Sequence, residues 1–201
     1  MARPGFSSPR AMFSRVGSPR ASRPRGSVPP GWGRSGMDLF NHQGAVFSED
    51  RVYRYRLWRH PPDTRFAAFI GLNPSTADET QNDPTVTRCI GFARSWGLAG
   101  MEMLNLYGFR STDPDPMFKH SAPIGPGNDE AILAVAREAS IVIGCWGAFP
   151  QARIRAIEVH RMLSSAGIVL HALQLTSQGW PRHPLYLCRD REPFPWRIPA
   201  G

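Results

Sequence analysis

The sequence is poor in the residues that build disulfide frameworks and metal clusters. Its three cysteines, Cys89, Cys145 and Cys188, are widely spaced in 201 residues and form no CxxC pair. Such a pattern predicts neither paired disulfides nor a cysteine-bound zinc or iron–sulfur site. We therefore expect a cytoplasmic protein that needs no cofactor. No apolar stretch approaches the roughly 18 residues of a membrane span, and no signal-peptide core is present, so we expect no membrane partner.

Acidic residues are missing from residues 1–36, which hold seven arginines, whereas residues 37–201 hold 17 basic and 16 acidic residues. The formal charge of +8 therefore belongs mostly to the N-terminal stretch, and the remainder carries about +1. A strongly basic domain would indicate phosphate binding over a broad face. This distribution allows at most a local basic groove.

Residues 1–36 are also rich in Pro, Gly and Ser, and they are predicted to form a disordered basic tail. Three origins stay open for this tail: an arm that tethers the protein to nucleic acid, an organelle-targeting segment, or an extended reading frame whose true start is Met37. Its prolines disfavour the amphipathic helix of a targeting segment. Residues 37–201 are long enough for a single domain with one core.

Four short apolar segments alternate with helical patterns in this domain. Strands are predicted at residues 66–72, 101–106, 141–145 and 168–173, and helices at residues 83–97, 128–139 and 152–165. Asp83-Pro84 is a helix-start signal, Gly97 is expected to end that helix, and Asn128-Asp129 is expected to cap the second helix. A long loop is expected at residues 107–127. The alternating residues 51–59 predict a half-exposed edge strand. Strands separated by helices imply right-handed βαβ units. We predict a three-layer α/β/α sandwich with a mainly parallel sheet of about four core strands plus an edge strand.

A polar or aromatic loop is associated with the end of each predicted core strand. The turn at residues 73–76 follows the first strand, Asn105 lies near the end of the second, Trp146 follows the third, and a loop carrying His183 follows the fourth. The carboxyl edge of an open parallel sheet is where ligands bind. These loops are therefore expected to meet at one rim and to form the functional site.

Five segments resemble a bacterial family filed as a domain of unknown function, DUF 1643. They are GLNPSTAD, NDPTVTRCIGFARSWG, NLYGFRSTDP, GPGND and PRHPLYL, and the resemblance extends from about Tyr53 to Trp196. This resemblance by itself implies no activity.

The chain more distantly resembles the uracil-DNA glycosylase superfamily, which has a parallel α/β/α sandwich. The segment Gly71-Leu72-Asn73-Pro74 is similar to the motif that positions the hydrolytic water, Asn105 to the asparagine that reads the base, and His183-Pro184 to the motif that stabilises the departing base. Leu185 departs from the pattern, because the superfamily usually has a serine there. The resemblance implies an enzyme of DNA repair that hydrolyses N-glycosidic bonds of damaged or modified bases.

The resemblance also implies a role for each site residue. Asn73 and His183 would be catalytic, and Asn105 would present both a donor and an acceptor to the base edge. Further residues expected to bind substrate lie in the same loops; they are Gly71, Leu72, Pro74, Ser75, Tyr107, Trp146 and Arg182. Aromatic residues that could stack on a flipped base are Phe92, Tyr107, Phe109 and Trp146. Trp180 and Arg182 are candidates for a wedge or phosphate contact.

Ordinary structural explanations exist for the same residues. Asn73 is equally consistent with an Asx turn, His183 with a loop position, and the aromatic residues with the core. Asp78, Asp83 and Arg88 fit either an acid–base or phosphate site, or a helix cap and a surface ion pair. The co-location of the motifs at one rim is what favours the functional interpretation.

Three rival functions stay open from sequence alone. An enzyme acting on a free nucleoside, a nucleotide or a modified RNA base would keep the pocket and lack the wedge. A non-catalytic module would bind a modified base or a nucleotide. A metal hydrolase would use Asp78, Asp83 and His183, which show no recognised ligand spacing. The expected partner is DNA, RNA or a nucleotide, and we expect a monomer.

Overall fold

One mixed β-sheet runs through the part of the chain that the computed structural model describes, residues 32–33 and 42–199. The strands follow the spatial order β1-β2-β3-β5-β4-β6-β7-β8. They are β1 (Trp32–Gly33), β2 (Gln43–Ser48), β3 (Arg54–Arg59), β4 (Phe66–Gly71), β5 (Gly100–Asn105), β6 (Ile141–Gly144), β7 (Leu170–Ala172) and β8 (Phe194–Pro195). The α-helices are α1 (Pro84–Ser95), α2 (Pro114–Lys119), α3 (Asn128–Glu138) and α4 (Arg153–Ser165).

The centre of the sheet is parallel. Strands β5, β4, β6 and β7 are neighbours that run in the same direction, and they correspond to the four buried strands expected from the apolar segments. The α/β class and the four-stranded parallel core are thereby confirmed. Gly71 lies opposite Asn105 in the register of β4 and β5, so these strands end together.

Helices cover both faces of the parallel core because β4 is apolar on both faces. Phe69 belongs to a buried cluster with Val86 and Phe92 of α1. Ile70, the next residue, belongs to a second cluster with side chains of α3 and α4, Ile132 and Val159 among them. Burial of each large apolar side chain of this kind stabilises the fold by roughly 1.5–3 kcal/mol.

Helix α1 begins and ends where its sequence signals place it. The Asp83 carboxylate accepts a hydrogen bond from the Val86 N–H at 2.8 Å, and Pro84 occupies the first turn. The chain leaves the helix before Gly97, which adopts a positive φ of 72°. This cap orients Asp83 at the carboxyl edge of the sheet.

Helix α3 begins differently from the prediction that Asn128-Asp129 caps it. The cap residue is Gly127, which makes no side-chain hydrogen bond, and Asn128 is the first helical residue. The buried Asn128 amide donates to the carbonyl oxygens of Asn105 at 3.0 Å and Leu106 at 3.2 Å. The cap prediction was wrong because this side chain satisfies the end of β5 instead of its own helix.

Strand β3 is an interior strand, so its prediction as an edge strand is wrong. It pairs antiparallel with β2 on one side and with β5 on the other. The polar residues of β3 are tolerated inside the sheet because they find cross-strand partners. Arg56, for example, forms a bidentate ion pair with the fully buried Glu102 of β5, with Nε and Oε2 2.6 Å apart.

The predicted disordered tail, residues 1–36, falls outside the described residues except for Trp32 and Gly33, whose backbones pair with β2. The long loop predicted at residues 107–127 contains the short helix α2, capped by Asp113. None of the described helices has the length and apolar composition that crossing a bilayer requires.

Candidate functional site

A cavity of about 480 Å³ opens at the carboxyl edge of the parallel strands. We call it the main cavity, and loops that follow β4, β5, β6 and β7 contribute to its wall. Its volume falls within the range of about 300–1,000 Å³ typical of small-molecule sites. The residues expected from sequence that line it are Gly71, Leu72, Asn73, Ser75, Asn105, Trp146, Arg182 and His183.

Two of the expected substrate-binding residues do not line the main cavity. Pro74 is buried in its loop, where its carbonyl oxygen accepts from the Ser111 N–H at 2.9 Å. Tyr107 packs in the core with its ring against Phe118, the centroids 5.8 Å apart. Both residues support the loops that form the site.

Two hydrogen bonds from the amino group of Asn73 fix the orientation of its side chain. Nδ2 donates to the carbonyl oxygens of Ser111 at 2.7 Å and Pro74 at 3.2 Å. Because a carbonyl oxygen can only accept a hydrogen bond, the amide end that faces these two carbonyls must be the amino group. The Oδ1 atom has no hydrogen-bond partner within the described residues. Asn73 therefore has an acceptor to offer at the cavity wall.

Asn105 is held by its amide oxygen, whereas Asn73 is held by its amino group. The residue that holds Asn105 is Arg54, which the sequence did not indicate as a site residue. Arg54 Nη2 donates to Asn105 Oδ1 at 3.2 Å, and Arg54 Nη1 donates to the Ala77 carbonyl at 2.8 Å. The carbonyl of Asn105 is thus engaged, whereas its amino group has no partner within residues 42–199. Asn105 presents donors at the site, and its expected second role as an acceptor is weakened.

Arg54 is a buried cation that also lines the main cavity. Only 3% of its surface is exposed, and no described carboxylate lies within ion-pair distance. Burial lowers the pKa of Arg54 to about 10, with the charge of Asp83 opposing that effect. Its Nε is buried without a hydrogen-bond partner. A positive charge that forms no ion pair with any described residue, and that Asp83 balances only from a distance, therefore stands behind Asn105.

His183 lines the main cavity from the loop after β7. Burial lowers the pKa of His183, and the nearby charge of Asp83 only partly offsets this effect. The imidazole is consequently neutral at pH 7 and keeps one N–H to donate. Its Nδ1 is buried and has no partner among the described residues, so the ring has unused hydrogen-bonding capacity at the site.

Asp78, Asp83 and Arg88, whose roles the sequence left undecided, each contact different residues. Asp83 lines the main cavity and also caps α1. Asp78 accepts hydrogen bonds from Thr80 and Gln81 of its own loop, which lower its pKa, and Arg88 donates to the Leu187 carbonyl. No group of three described His, Cys, Asp or Glu side chains could hold a metal ion, so the metal site suggested by Asp78, Asp83 and His183 is not formed.

The aromatic residues at the site differ in part from the expected ones. Trp146 lines the main cavity as expected, joined there by Phe149 and by Tyr186, which is 70% exposed. Phe92 lies on the buried face of α1 and packs in the core instead. Trp180, expected as a wedge, is 7% exposed and packs in the core, where its ring lies 5.7 Å from that of Trp196, measured between centroids.

Sequence reasoning missed Arg54, Phe149 and Tyr186. Arg54 is one of several arginines that alternate along β3, and nothing local separates it from Arg56. Only the pairing of β3 with β5 gives Arg56 a carboxylate partner and leaves Arg54 without one. The proximity of Phe149 to Trp146 was the one available signal for an aromatic rim.

The fold and the site define an α/β protein with a ligand-sized cavity at the carboxyl edge of a mixed sheet. Over residues 54–185 the chain matches the family described as Protein of unknown function (DUF1643), and it belongs to that family. The family expected from the sequence motifs is therefore confirmed. No curated protein and no solved structure matches the chain.

Proposed function

We propose that this protein recognises a nucleobase in the main cavity and hydrolyses its N-glycosidic bond, acting on damaged or modified bases. One observation carries the proposal: Asn73, Asn105 and His183 line a single cavity with complementary unused groups. Among the residues that the structure describes, the Asn73 acceptor and the Asn105 donors have no partner, and His183 contributes a neutral imidazole. Water placement, base recognition and leaving-group stabilisation require such a set.

In this reaction a water molecule adds its oxygen to the anomeric carbon as the bond from that carbon to the base nitrogen breaks. The bonding pair leaves with the base, and the proton of the water passes to the departed base or to solvent. Asn73 Oδ1 would hold the water by accepting one of its hydrogens. An amide is too weak a base to remove that proton early, so the barrier must fall mainly through stabilisation of the leaving base.

Three groups favour negative charge on the departing base. Neutral His183 would donate its N–H, a contribution of about 3–4 kcal/mol in comparable oxyanion sites. The Asn105 amino group would donate a hydrogen bond to an exocyclic carbonyl oxygen of the base. Arg54 polarises that amide by binding its carbonyl oxygen at 3.2 Å. Because no described carboxylate forms an ion pair with the guanidinium, its field is only partly balanced by Asp83 and can act on the reacting base.

We also infer the three-layer α/β/α arrangement of the uracil-DNA glycosylase superfamily. Its support is the parallel core of four strands, with α1 on one face and α3 and α4 on the other. The order of the site residues along the chain and their positions at strand ends are consistent with that superfamily.

A second candidate is an enzyme that acts on a free nucleotide, a nucleoside or a modified RNA base. The burial of Trp180 favours it, because the wedge expected for opening a duplex is absent at that position. A base that is already unstacked does not require the few kcal/mol that extrusion from a duplex costs.

The test is an alkaline-cleavage assay on end-labelled single- and double-stranded oligonucleotides that carry uracil, hypoxanthine, xanthine or oxidised pyrimidines. Free nucleosides and nucleotides are assayed in parallel by chromatography of the released base. Asn73→Ala and His183→Ala should each lose cleavage, whereas His171→Ala, on β7 and outside the cavity wall, should retain it. Absence of base release from every substrate by folded protein would refute N-glycosidic hydrolysis.

A further inference from the structure

A second groove of about 500 Å³ adjoins the main cavity. We call it the side groove; it is lined by residues 51–52, 75–76 and 109–112, and it shares Ser75, Ser111 and Thr112 with the main cavity. We propose that the side groove binds the phosphate group of the nucleotide whose base enters the main cavity. The inference rests on the proposed function in taking a nucleobase as the ligand of the main cavity.

Arg110 provides the charge for this site. Its backbone N–H donates to the Val52 carbonyl at 3.0 Å, and its Nη1 donates to the Arg51 carbonyl at 3.1 Å. The guanidinium carbon lies 4.8 Å from the ring centroid of Phe47. These contacts fix the guanidinium without neutralising it, since no described carboxylate forms an ion pair with Arg110.

The neighbouring arginine has a different role. Arg51 forms two hydrogen bonds with the Glu79 carboxylate, at 2.7 and 3.1 Å, so its charge is already balanced. The two guanidinium groups both lie near Phe47, with the Arg51 carbon 4.0 Å from the ring centroid. A bound anion at Arg110 would balance the positive charge that Glu79 leaves uncompensated.

Hydroxyl groups complete the donor set. Ser75, Thr76 and Thr112 line the side groove, and their hydroxyls have no hydrogen-bond partner among the residues described. The Ser111 hydroxyl is already used, because it donates to the Asp113 carbonyl. A guanidinium with several hydroxyl donors suits the oxygens of a phosphate, which accept more hydrogen bonds than a carboxylate.

The main cavity and the side groove are continuous, and this continuity indicates where the bound phosphate lies in the ligand. Ser75 and Thr112 belong to both walls, so a ligand can occupy the main cavity and the side groove together. In a nucleotide, the sugar would cross this shared wall between base and phosphate. A nucleoside monophosphate and a phosphodiester of a single strand offer the same group at this position.

The experiment measures binding of inorganic phosphate, uridine, uridine 5′-monophosphate and a uracil-containing single-stranded tetranucleotide by calorimetry. Arg110→Met should weaken binding of phosphate and of the monophosphate by about ten- to a hundredfold, the effect of losing a charged hydrogen bond. Its affinity for uridine should be unchanged. Arg161→Met, an exposed arginine on α4, is the matched control and should bind all four as the parent protein does.

A second variant keeps the proposal testable if Arg110→Met does not fold. Thr76→Val keeps the shape of an exposed side chain and removes one hydroxyl, and it should lower phosphate affinity by a few-fold, as one neutral hydrogen bond implies. Unchanged phosphate affinity in both variants would overturn the proposal, as would absence of phosphate binding by the folded parent protein.

The phosphate titration separates this inference from the proposed function. Phosphate binding that depends on Arg110, without binding or cleavage of any base, would refute the glycosylase proposal and support the phosphate site. The tetranucleotide distinguishes the source of the phosphate. If the phosphate belongs to a single strand, the tetranucleotide should bind more tightly than the monophosphate. The slope of its log affinity against log salt concentration should then be smaller by about 0.7 in Arg110→Met. Equal affinities would identify the free nucleotide.

Discussion

Arg54→Met should impair ligand function while leaving the protein folded. The substitution keeps most of the apolar stem and removes the guanidinium that donates to Ala77 and Asn105. Without that donor the Asn105 amide is free to rotate, and the positive charge behind the proposed leaving base is lost. We expect base binding or cleavage to fall by about 10²–10³-fold, as when an oxyanion-site donor is removed.

The free energy of unfolding should fall by at most a few kcal/mol because two contributions oppose each other. A fall in the pKa of Arg54 from 12.5 to about 10 corresponds to roughly 3 kcal/mol against the charged form in the folded state. Because the folded pKa is the lower one, this cost applies in full below about pH 10 and is relieved only above it. Loss of two charged hydrogen bonds costs about 3–6 kcal/mol. The net destabilisation is then about 0–3 kcal/mol.

Arg56→Met, two residues along β3, is the matched control. It leaves the Glu102 carboxylate buried with only His60 as a partner, at 3.0 Å, and should destabilise the fold by about 3–5 kcal/mol. Its ligand binding, measured where the variant is folded, should equal that of the parent protein. Arg54→Met should therefore reduce mainly ligand function, and Arg56→Met should reduce mainly the stability of the fold.

Urea unfolding at pH 7.5, followed by circular dichroism, gives the two free energies of unfolding. Calorimetry or base release gives the functional effect. A loss of more than about 5 kcal/mol in Arg54→Met would show that Arg54 is required by the fold. Unchanged ligand binding in that variant would show that Arg54 does not orient Asn105 for recognition. Either result would refute the reasoning.

Three further predictions concern neighbouring residues. The acid limb of the rate profile should lie below pH 6.5, because burial lowers the pKa of His183; a limb centred above pH 6.5 would contradict a neutral donor. Gly71→Ala should weaken base binding more than about tenfold, since its Cβ would lie 2.8 Å from Asn105 Nδ2, and titration with uridine measures this. Asn128→Ala should lower the free energy of unfolding by about 2–4 kcal/mol, because two buried carbonyls lose their donor; an unchanged urea midpoint would contradict this.

Local patterns in the sequence were sufficient for the parallel core. The apolar runs predicted β4, β5, β6 and β7, and the alternation with helices predicted their common direction. The Asp83-Pro84 signal located the start of α1. The prediction of an edge strand at residues 51–59 failed, because residues 43–48 form another strand beside it and alternation alone does not show how many neighbours a strand has.

The same limit applies to the candidate site. Strand ends identified Asn73, Asn105 and His183 as residues of one rim, and all three line the main cavity. Their orientation was not predictable, since Asn73 is turned by Ser111 and Asn105 by Arg54, both distant in sequence. Each of these contacts depends on which loops the strands bring together.

The sequence by itself therefore determined the parallel core and the set of loops at its carboxyl edge, because periodicity and turn propensity act over a few residues. The tertiary structure alone decided that Arg56 pairs with Glu102, that Trp180 is buried, and that neither Arg54 nor Arg110 forms an ion pair with a described residue. The physical reason is that the charge balance and the solvation of a side chain are set by residues far along the chain.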